Sequence, residues 1–209
     1  MAATPPYPIL IVVSVLAYLI GGLPFGYWIV RLSSGKDIRT MGSGNIGATN
    51  VHRSVSRKAG MLVLLLDMLK GFISVWLAAK LGAGNPLAVA LAAVAVMLGH
   101  CYPIFLRFSG GKAVACCVGA FLYIAPLAIA MTAVIFIAAV AFSRYISAGS
   151  IVGAIFLPFA VWFSSHPPRP ILVASIAAAL IVIYRHKANI SRIRRGNEHP
   201  FSLKGGDPK

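Results

Sequence analysis

The segment Gly42-Ser43-Gly44-Asn45-Ile46-Gly47-Ala48-Thr49-Asn50 holds the densest set of residues able to do chemistry. Glycine lets the backbone reach positive φ and come close to a ligand. Successive N–H groups in such turns form concave nests for anions. Ser43, Asn45, Thr49 and Asn50 add side-chain donors, and Arg53, Arg57 and Lys58 follow. These types at this spacing suit a phosphate, although a polar linker between two helices has the same composition. Gly110-Gly111-Lys112 repeats the theme where an apolar run begins. Backbone N–H groups at a helix start attract anions, and the lysine adds a point charge. The triplet lacks the remaining residues of a Walker A loop, and a cytoplasmic turn with one lysine is its plainer reading.

A third tract, Tyr184 to Glu198, carries Arg185, His186, Lys187, Asn189, Arg192, Arg194 and Arg195, with Glu198 as its only acid. His186 and Asn189 lie three apart and share a helix face. Either the tract binds anionic lipid head groups or it walls a site. Asp67 and Lys70 also lie three apart within an apolar run, where an unpaired charge costs at least about 2.5 kcal/mol. Mutual pairing that braces a helix bundle accounts for both. His100 closes another apolar run and is either an interface residue or a proton acceptor near neutrality.

Several chemistries are excluded. None of the five histidines is followed by His-x4-Asp spacing, no cluster of acids could hold a magnesium ion, and no Gly-x-Ser-x-Gly elbow occurs. Cys101, Cys116 and Cys117 give neither a disulfide framework nor metal-ligand spacing. What remains is a cationic, metal-free site for phosphate that needs no cofactor.

The elements that must position these residues are membrane helices. The chain has 209 residues, 59% hydrophobic and 11% charged, with a mean hydropathy of +0.86. A soluble domain is about 45–50% apolar and about 25% charged. Repeated apolar runs without alternation indicate helices rather than a barrel. The chain is expected to be an all-α integral membrane protein, a single domain over residues 1–209. Seven transmembrane helices are expected, near residues 8–30, 60–81, 87–106, 113–124, 127–142, 148–164 and 171–184. Gly21, Gly22 and Pro24 should kink the first. The first run lacks a charged n-region and a cleavage site, so it reads as a span and not a removed signal.

The 19 Lys and Arg against 4 acids give a net charge of +15. That balance suits anionic lipid or an anionic substrate; no soluble segment exists to carry nucleic acid. Lys80 and Arg169 fall on one side of the seven-span arrangement, Lys70 lies within a span, and the other cations fall on the opposite side. Cytoplasmic loops carry the Lys/Arg excess. The N-terminus is therefore expected outside and the C-terminus in the cytoplasm. Loops 31–58, 107–112 and 143–150 and the basic tail 185–209 then gather on the cytoplasmic face.

Taken together, these motifs resemble those of the bacterial acyl-phosphate:glycerol-3-phosphate acyltransferases. The first motif is Asp37-Ile38-Arg39 with Gly42 to Asn50 and Arg53, followed by Asp67-x-x-Lys70-Gly71. Gly99-His100 to Pro103, Phe105-Leu106, Phe108 and Gly110-Gly111-Lys112 resemble the second. Arg185-His186, Asn189-Ile190, Arg192, Gly196 and Glu198 resemble the third. Ala113 stands where the family usually has glycine, and Cys116 where threonine is common.

The resemblance implies an enzyme of the bacterial cytoplasmic (inner) membrane with seven helices and its site on the cytoplasmic face. It would move a fatty acyl group from acyl phosphate to the sn-1 hydroxyl of glycerol 3-phosphate, giving lysophosphatidic acid and phosphate. No cofactor, metal or obligatory protein partner is implied. Ser43, Arg53, Lys112, His186 and Asn189 are the expected catalytic residues. Gly42, Gly44, Asn45, Gly47, Thr49, Asn50, His100, Gly110, Gly111, Ser150, Arg192 and Glu198 are expected to bind substrate. A small-anion transporter or a structural subunit would share the cationic loops, but the outer turns carry no matching polar residues.

Overall fold

The computed structural model describes residues 7–201. Asp207 and the rest of the expected tail beyond 201 lie outside the described residues. Among the described residues the chain is all helical: α1 (Tyr7–Gly21), α2 (Phe25–Ser34), α3 (Ala48–Ser54), α4 (Arg57–Leu81), α5 (Pro86–Cys101), α6 (Val114–Ile124), α7 (Pro126–Ser143), α8 (Ile146–Ser165), α9 (Arg169–Arg185) and α10 (Lys187–Arg194). Two 3₁₀ turns, Ile38–Thr40 and Ile104–Leu106, lie in the connections.

Local chemistry explains most of the boundaries. Ser56 and Asn85 accept backbone N–H groups at the starts of α4 and α5, which satisfies donors a helix start leaves open. Pro86, Pro126 and Pro170 sit in first turns, where proline loses no hydrogen bond. The expected kink is a break at residues 22–24 between α1 and α2. Helix α3 lies inside the stretch expected to be a linker. The link near residue 144 is short, so Ser147 and Ser150 belong to α8.

Among the described residues, five stretches are long and apolar enough to cross a membrane: 7–34, α4, 86–106, α7 and α8. A sixth exists if α9 and α10, bent by 54°, count as one. Helix α6 has 11 residues, ~16 Å at a rise of 1.5 Å each, too short to cross alone.

The most extensive helix contacts are α1 with α5, α4 with α6, and α7 with α8. Small residues make the first two pairs close. A Cβ on Gly21 would lie 2.1 Å from the Val96 carbonyl oxygen, and one on Gly99 2.0 Å from that of Tyr18. Between α4 and α6, Gly119 and Gly71 would place a Cβ 1.8 Å and 2.2 Å from the Met68 and Cys116 carbonyl oxygens. Backbone contact of this kind replaces hydrophobic pressure, which is weak between helices in lipid. The main core is rich in alanine, with Phe121, Met97 and Val96 filling it. A separate small core of Val30, Ile38, Ile46, Val51, Val63 and Leu106 pins the 38–51 stretch onto α2 and α4.

The Asp67–Lys70 pair forms as expected, at 2.7 Å, with both side chains under 5% exposed. Lys70 also donates to the Leu23 carbonyl at 2.9 Å, so the pair braces the α1–α2 break against α4. His100 Nδ1 lies 3.6 Å from Asp67 Oδ1, beyond hydrogen-bond length.

Candidate active site

The 42–50 loop is shaped by one amide. Asn50 Oδ1 accepts the Ser43 N–H at 2.9 Å, and its Nδ2 donates to the Met41 and Asn45 carbonyls at 3.0 and 2.8 Å. Gly42 has φ +52, and a Cβ there would meet Asn50 Oδ1 at 2.4 Å. Asn50 was expected to bind substrate; its donors are instead taken by the loop's own carbonyls, and it sets the loop's shape. Asn45 caps Gly47 in the same way, at 2.9 Å.

The Gly110-Gly111-Lys112 loop runs into α6. Ala113 is the N-cap of α6 at φ +58. That left-handed conformation suits glycine and costs an L-residue about 1–2 kcal/mol, a physical reason for the glycine common at this position. No side chain caps α6, and Lys112, Ala113, Val114 and Ala115 all line one cavity. Gly111 packs on the His100 ring and donates to the His100 carbonyl at 2.9 Å.

A line of side chains joins this loop to the tail. Lys112 Nζ donates to Asn189 Oδ1 at 2.6 Å, and Asn189 Nδ2 donates to Glu198 Oε1 at 2.7 Å. Glu198 also accepts from Ser147 Oγ at 3.0 Å and Arg192 Nε at 2.7 Å. Arg192 and Glu198, expected to touch substrate, thus hold each other and orient Asn189. Burial acts to raise the Glu198 carboxyl, but the bonds from Arg192, Asn189 and Ser147 outweigh it and keep the group below its ordinary value. His186 Nδ1 lies 2.7 Å from the Val182 carbonyl oxygen. A carbonyl only accepts, so Nδ1 carries a proton, and in the neutral ring Nε2 is then the acceptor.

The Lys112 ammonium is pushed down to about 8, first by burial and then by the repulsion of Arg192, with Glu198 opposing both. It remains charged at neutral pH and loses its proton as pH rises past that value. The free-enzyme parameter kcat/KM is expected to fall by about tenfold per pH unit above pH ~8. A dianionic phosphate held against Lys112 would stabilise the ammonium, so the fall in kcat should then lie at higher pH. Profiles of both parameters over a pH series check this; a kcat/KM flat well beyond pH 9 contradicts it.

The loops meet at a cavity of about 550 Å³. Ser43, Asn45, Gly47, Thr49, Asn50, Arg53, His100, Lys112, Ser150, His186, Asn189, Arg192 and Glu198 all line it. Gly42, Gly44, Gly110 and Gly111 do not. Arg57, one of the cations that follow the first loop, also lines it, as do His52, Ser147, His199 and Phe201, which no motif marked. The Phe201 N–H donates to the Arg144 carbonyl at 2.7 Å, and its ring lies 6.2 Å from that of His52. This places the tail across α3 and the start of α8.

The cavity continues into an apolar groove walled by Leu64 and Met68 of α4, Val118 of α6, Ile129 and Phe136 of α7, and Leu157 of α8. From Ser147 to Leu157 the α8 wall is ~15 Å long. Asp67, His100 and Cys116 bring ligand-type atoms within 4.8 Å of one another. The Lys70 ammonium already sits on Asp67, so that cluster carries its own cation. The whole arrangement offers cations and N–H groups to phosphate at one end and a slot for a hydrocarbon chain at the other.

The family model for glycerol-3-phosphate acyltransferase matches residues 11–196. A glycerol-3-phosphate acyltransferase of Geobacter sulfurreducens is 45% identical over 192 residues, covering 91% of this chain and 97% of that one. One of Trichlorobacter lovleyi is 46% identical over 185 residues, covering 88% and 94%. Among solved structures, PlsY (YgiH), an integral membrane glycerol 3-phosphate acyltransferase in its glycerol 3-phosphate form, superposes with a TM-score of 0.87. It is 36% identical, with 92% of this chain and 96% of that chain covered. Its lysophosphatidic acid form gives a TM-score of 0.84 at 34% identity. With the family match spanning the chain from α1 to the tail, this protein belongs to the glycerol-3-phosphate acyltransferase family.

Proposed function

We propose that this acyltransferase moves a fatty acyl group from acyl phosphate to the sn-1 hydroxyl of glycerol 3-phosphate. The hydroxyl oxygen bonds to the acyl carbon, the bond from that carbon to the phosphate oxygen breaks, and the hydroxyl proton leaves on the phosphate. Lysophosphatidic acid and inorganic phosphate result. The observation that carries this reading is the Lys112–Asn189–Glu198 line, which joins the second and third motifs on a cavity the first motif also lines. Acyl phosphate has a good leaving group, so positioning and charge stabilisation suffice without an acyl-enzyme.

In this reading the 42–50 loop cradles the acyl-phosphate phosphate, and Ser43 orients the reacting hydroxyl or donates to the acyl carbonyl. Arg53, Lys112, Ser150, His186 and Asn189 hold glycerol 3-phosphate and the developing negative charge. The acyl chain lies in the α4/α6/α7/α8 groove. In the same reading α6, too short to cross by itself, crosses together with the loop and turn at its two ends as one of seven spans in the bacterial inner membrane, with the N-terminus outside and the cavity at the cytoplasmic face. The cation distribution supports that orientation.

The test mixes purified protein with palmitoyl phosphate and glycerol 3-phosphate, without added metal, and follows phosphate release. Release that needs both substrates and yields lysophosphatidic acid is expected. Release without the acceptor would indicate a phosphatase, and no release from folded, lipid-reconstituted protein would sink the reading. Ser43→Ala should lower turnover at least about tenfold, which corresponds to about 1.4 kcal/mol of transition-state stabilisation. Near-normal turnover would remove Ser43 from the reaction.

A further inference from the structure

Arg185 ends α9 and stands immediately before His186, yet only His186 lines the cavity. The Arg185 side chain grips the Lys112 loop from behind. Its Nε donates to the Gly111 carbonyl at 2.9 Å and its Nη2 to the Gly110 carbonyl at 2.8 Å. The guanidinium carbon lies 4.9 Å from the centre of the Tyr102 ring, which backs it. A planar guanidinium can reach two neighbouring carbonyls at once; an ammonium cannot reproduce that fork.

The two carbonyls matter because of what lies on the far side of each peptide. In a trans peptide the N–H points opposite to the C=O. The Gly110 carbonyl faces Arg185, and the Gly111 N–H of the same peptide faces the other way, onto the His100 carbonyl at 2.9 Å. By the same geometry, the Gly111 carbonyl on Arg185 turns the Lys112 N–H away from Arg185. Lys112 is part of the cavity wall. Two adjacent glycines offer little resistance to a peptide flip. A flip of the Gly111–Lys112 peptide would replace that N–H by a carbonyl oxygen, which repels an anion.

We propose that Arg185 is a positioning residue for the transfer. It locks the Gly110 and Gly111 peptides so that the Lys112 N–H and ammonium face the substrate phosphate. The inference rests on the acyl-transfer reading above. It assigns to Arg185 a task distinct from that of the cavity residues: it acts through Lys112 and touches no substrate.

The experiment is a double-mutant cycle in the phosphate-release assay, with Arg185→Gln, Lys112→Ala and the pair. Arg185→Gln should lower kcat/KM for glycerol 3-phosphate at least about tenfold. In the Lys112→Ala background the same change should have an effect at least about threefold smaller, because residues acting as a unit are not additive. Arg185→Lys, which keeps the charge but not the fork, should recover only part of the loss. A merely structural brace would give losses that multiply, and that result overturns the proposal. So does Arg185→Gln activity within about twofold of the unmodified protein, or full recovery with lysine. If Arg185→Gln does not give monodisperse protein, the cycle is run with Arg185→Lys and read by the same multiplicative criterion. An inactive unmodified protein sinks the acyl-transfer reading instead, so the two failures are distinct.

Discussion

Lys112→Ala should reduce kcat/KM by about 10²-fold or more in protein that still folds. A hydrogen bond to a charged group contributes about 1.5–3 kcal/mol, and the ammonium makes more than one. It donates to Asn189 at 2.6 Å, which leaves two of its three N–H groups for a phosphate. Loss of the side chain removes those donors and also leaves Asn189 Oδ1 without its partner. The 1.4 kcal/mol per tenfold conversion then places the combined loss near two orders of magnitude. Steady-state kinetics with both substrates varied, beside a thermal melt, separates activity from folding. A variant with normal melting and activity within threefold of the unmodified protein would show that the ammonium does not serve the transition state.

The second large effect should come from a residue far from any phosphate. Gly119→Val places its first added carbon 1.8 Å from the Met68 carbonyl oxygen, a backbone atom with no rotamer to change. Helix α6 must move off α4, and α6 begins beside Lys112 and Ala113. Overpacking of this sort costs about 1–3 kcal/mol in ordinary cores, and a backbone contact belongs at the upper end. At about 2–4 °C per kcal/mol for a chain of this size, the melting temperature in detergent should fall by ~5–10 °C, and activity should fall with it. Melting unchanged within a degree would mean the helices separate freely at this point.

The sequence made the three chemical tracts legible because their types are unusual in a chain this apolar. Serine, asparagine and lysine clustered between long hydrophobic runs need a reason, and the cavity gathers Ser43, Asn45, Asn50, Lys112 and Asn189 from the three tracts. The Asp67–Lys70 pair was legible because a charge between apolar helices must find a partner nearby. Other features had no local signal. Helix α3 lies in a polar stretch and is held by Val51 in a small core with Val30 and Val63, contacts that only the tertiary fold supplies. His52 and Phe201 meet across almost 150 residues. The hydrogen bonds of Asn50 within its own loop had no local signal, because an amide in a glycine-rich loop serves a ligand and a loop carbonyl equally well. Gly21 ends α1 at the expected break, but that its missing side chain also admits the α5 backbone had no local signal.

That α1–α5 contact bears on when the protein can form. Gly21 and Val96 touch backbone to backbone, yet about 75 residues separate them. At ~5–20 residues per second, α1 is complete roughly 4–15 s before its principal partner leaves the ribosome. During that interval the narrow face at Gly21 meets only lipid or the shorter contact with α4. The order in which helices enter the bilayer therefore differs from the order in which they pair. Helix α1 is the first of the described helices to be made, yet it is locked only when α5, near the middle of the chain, is in place.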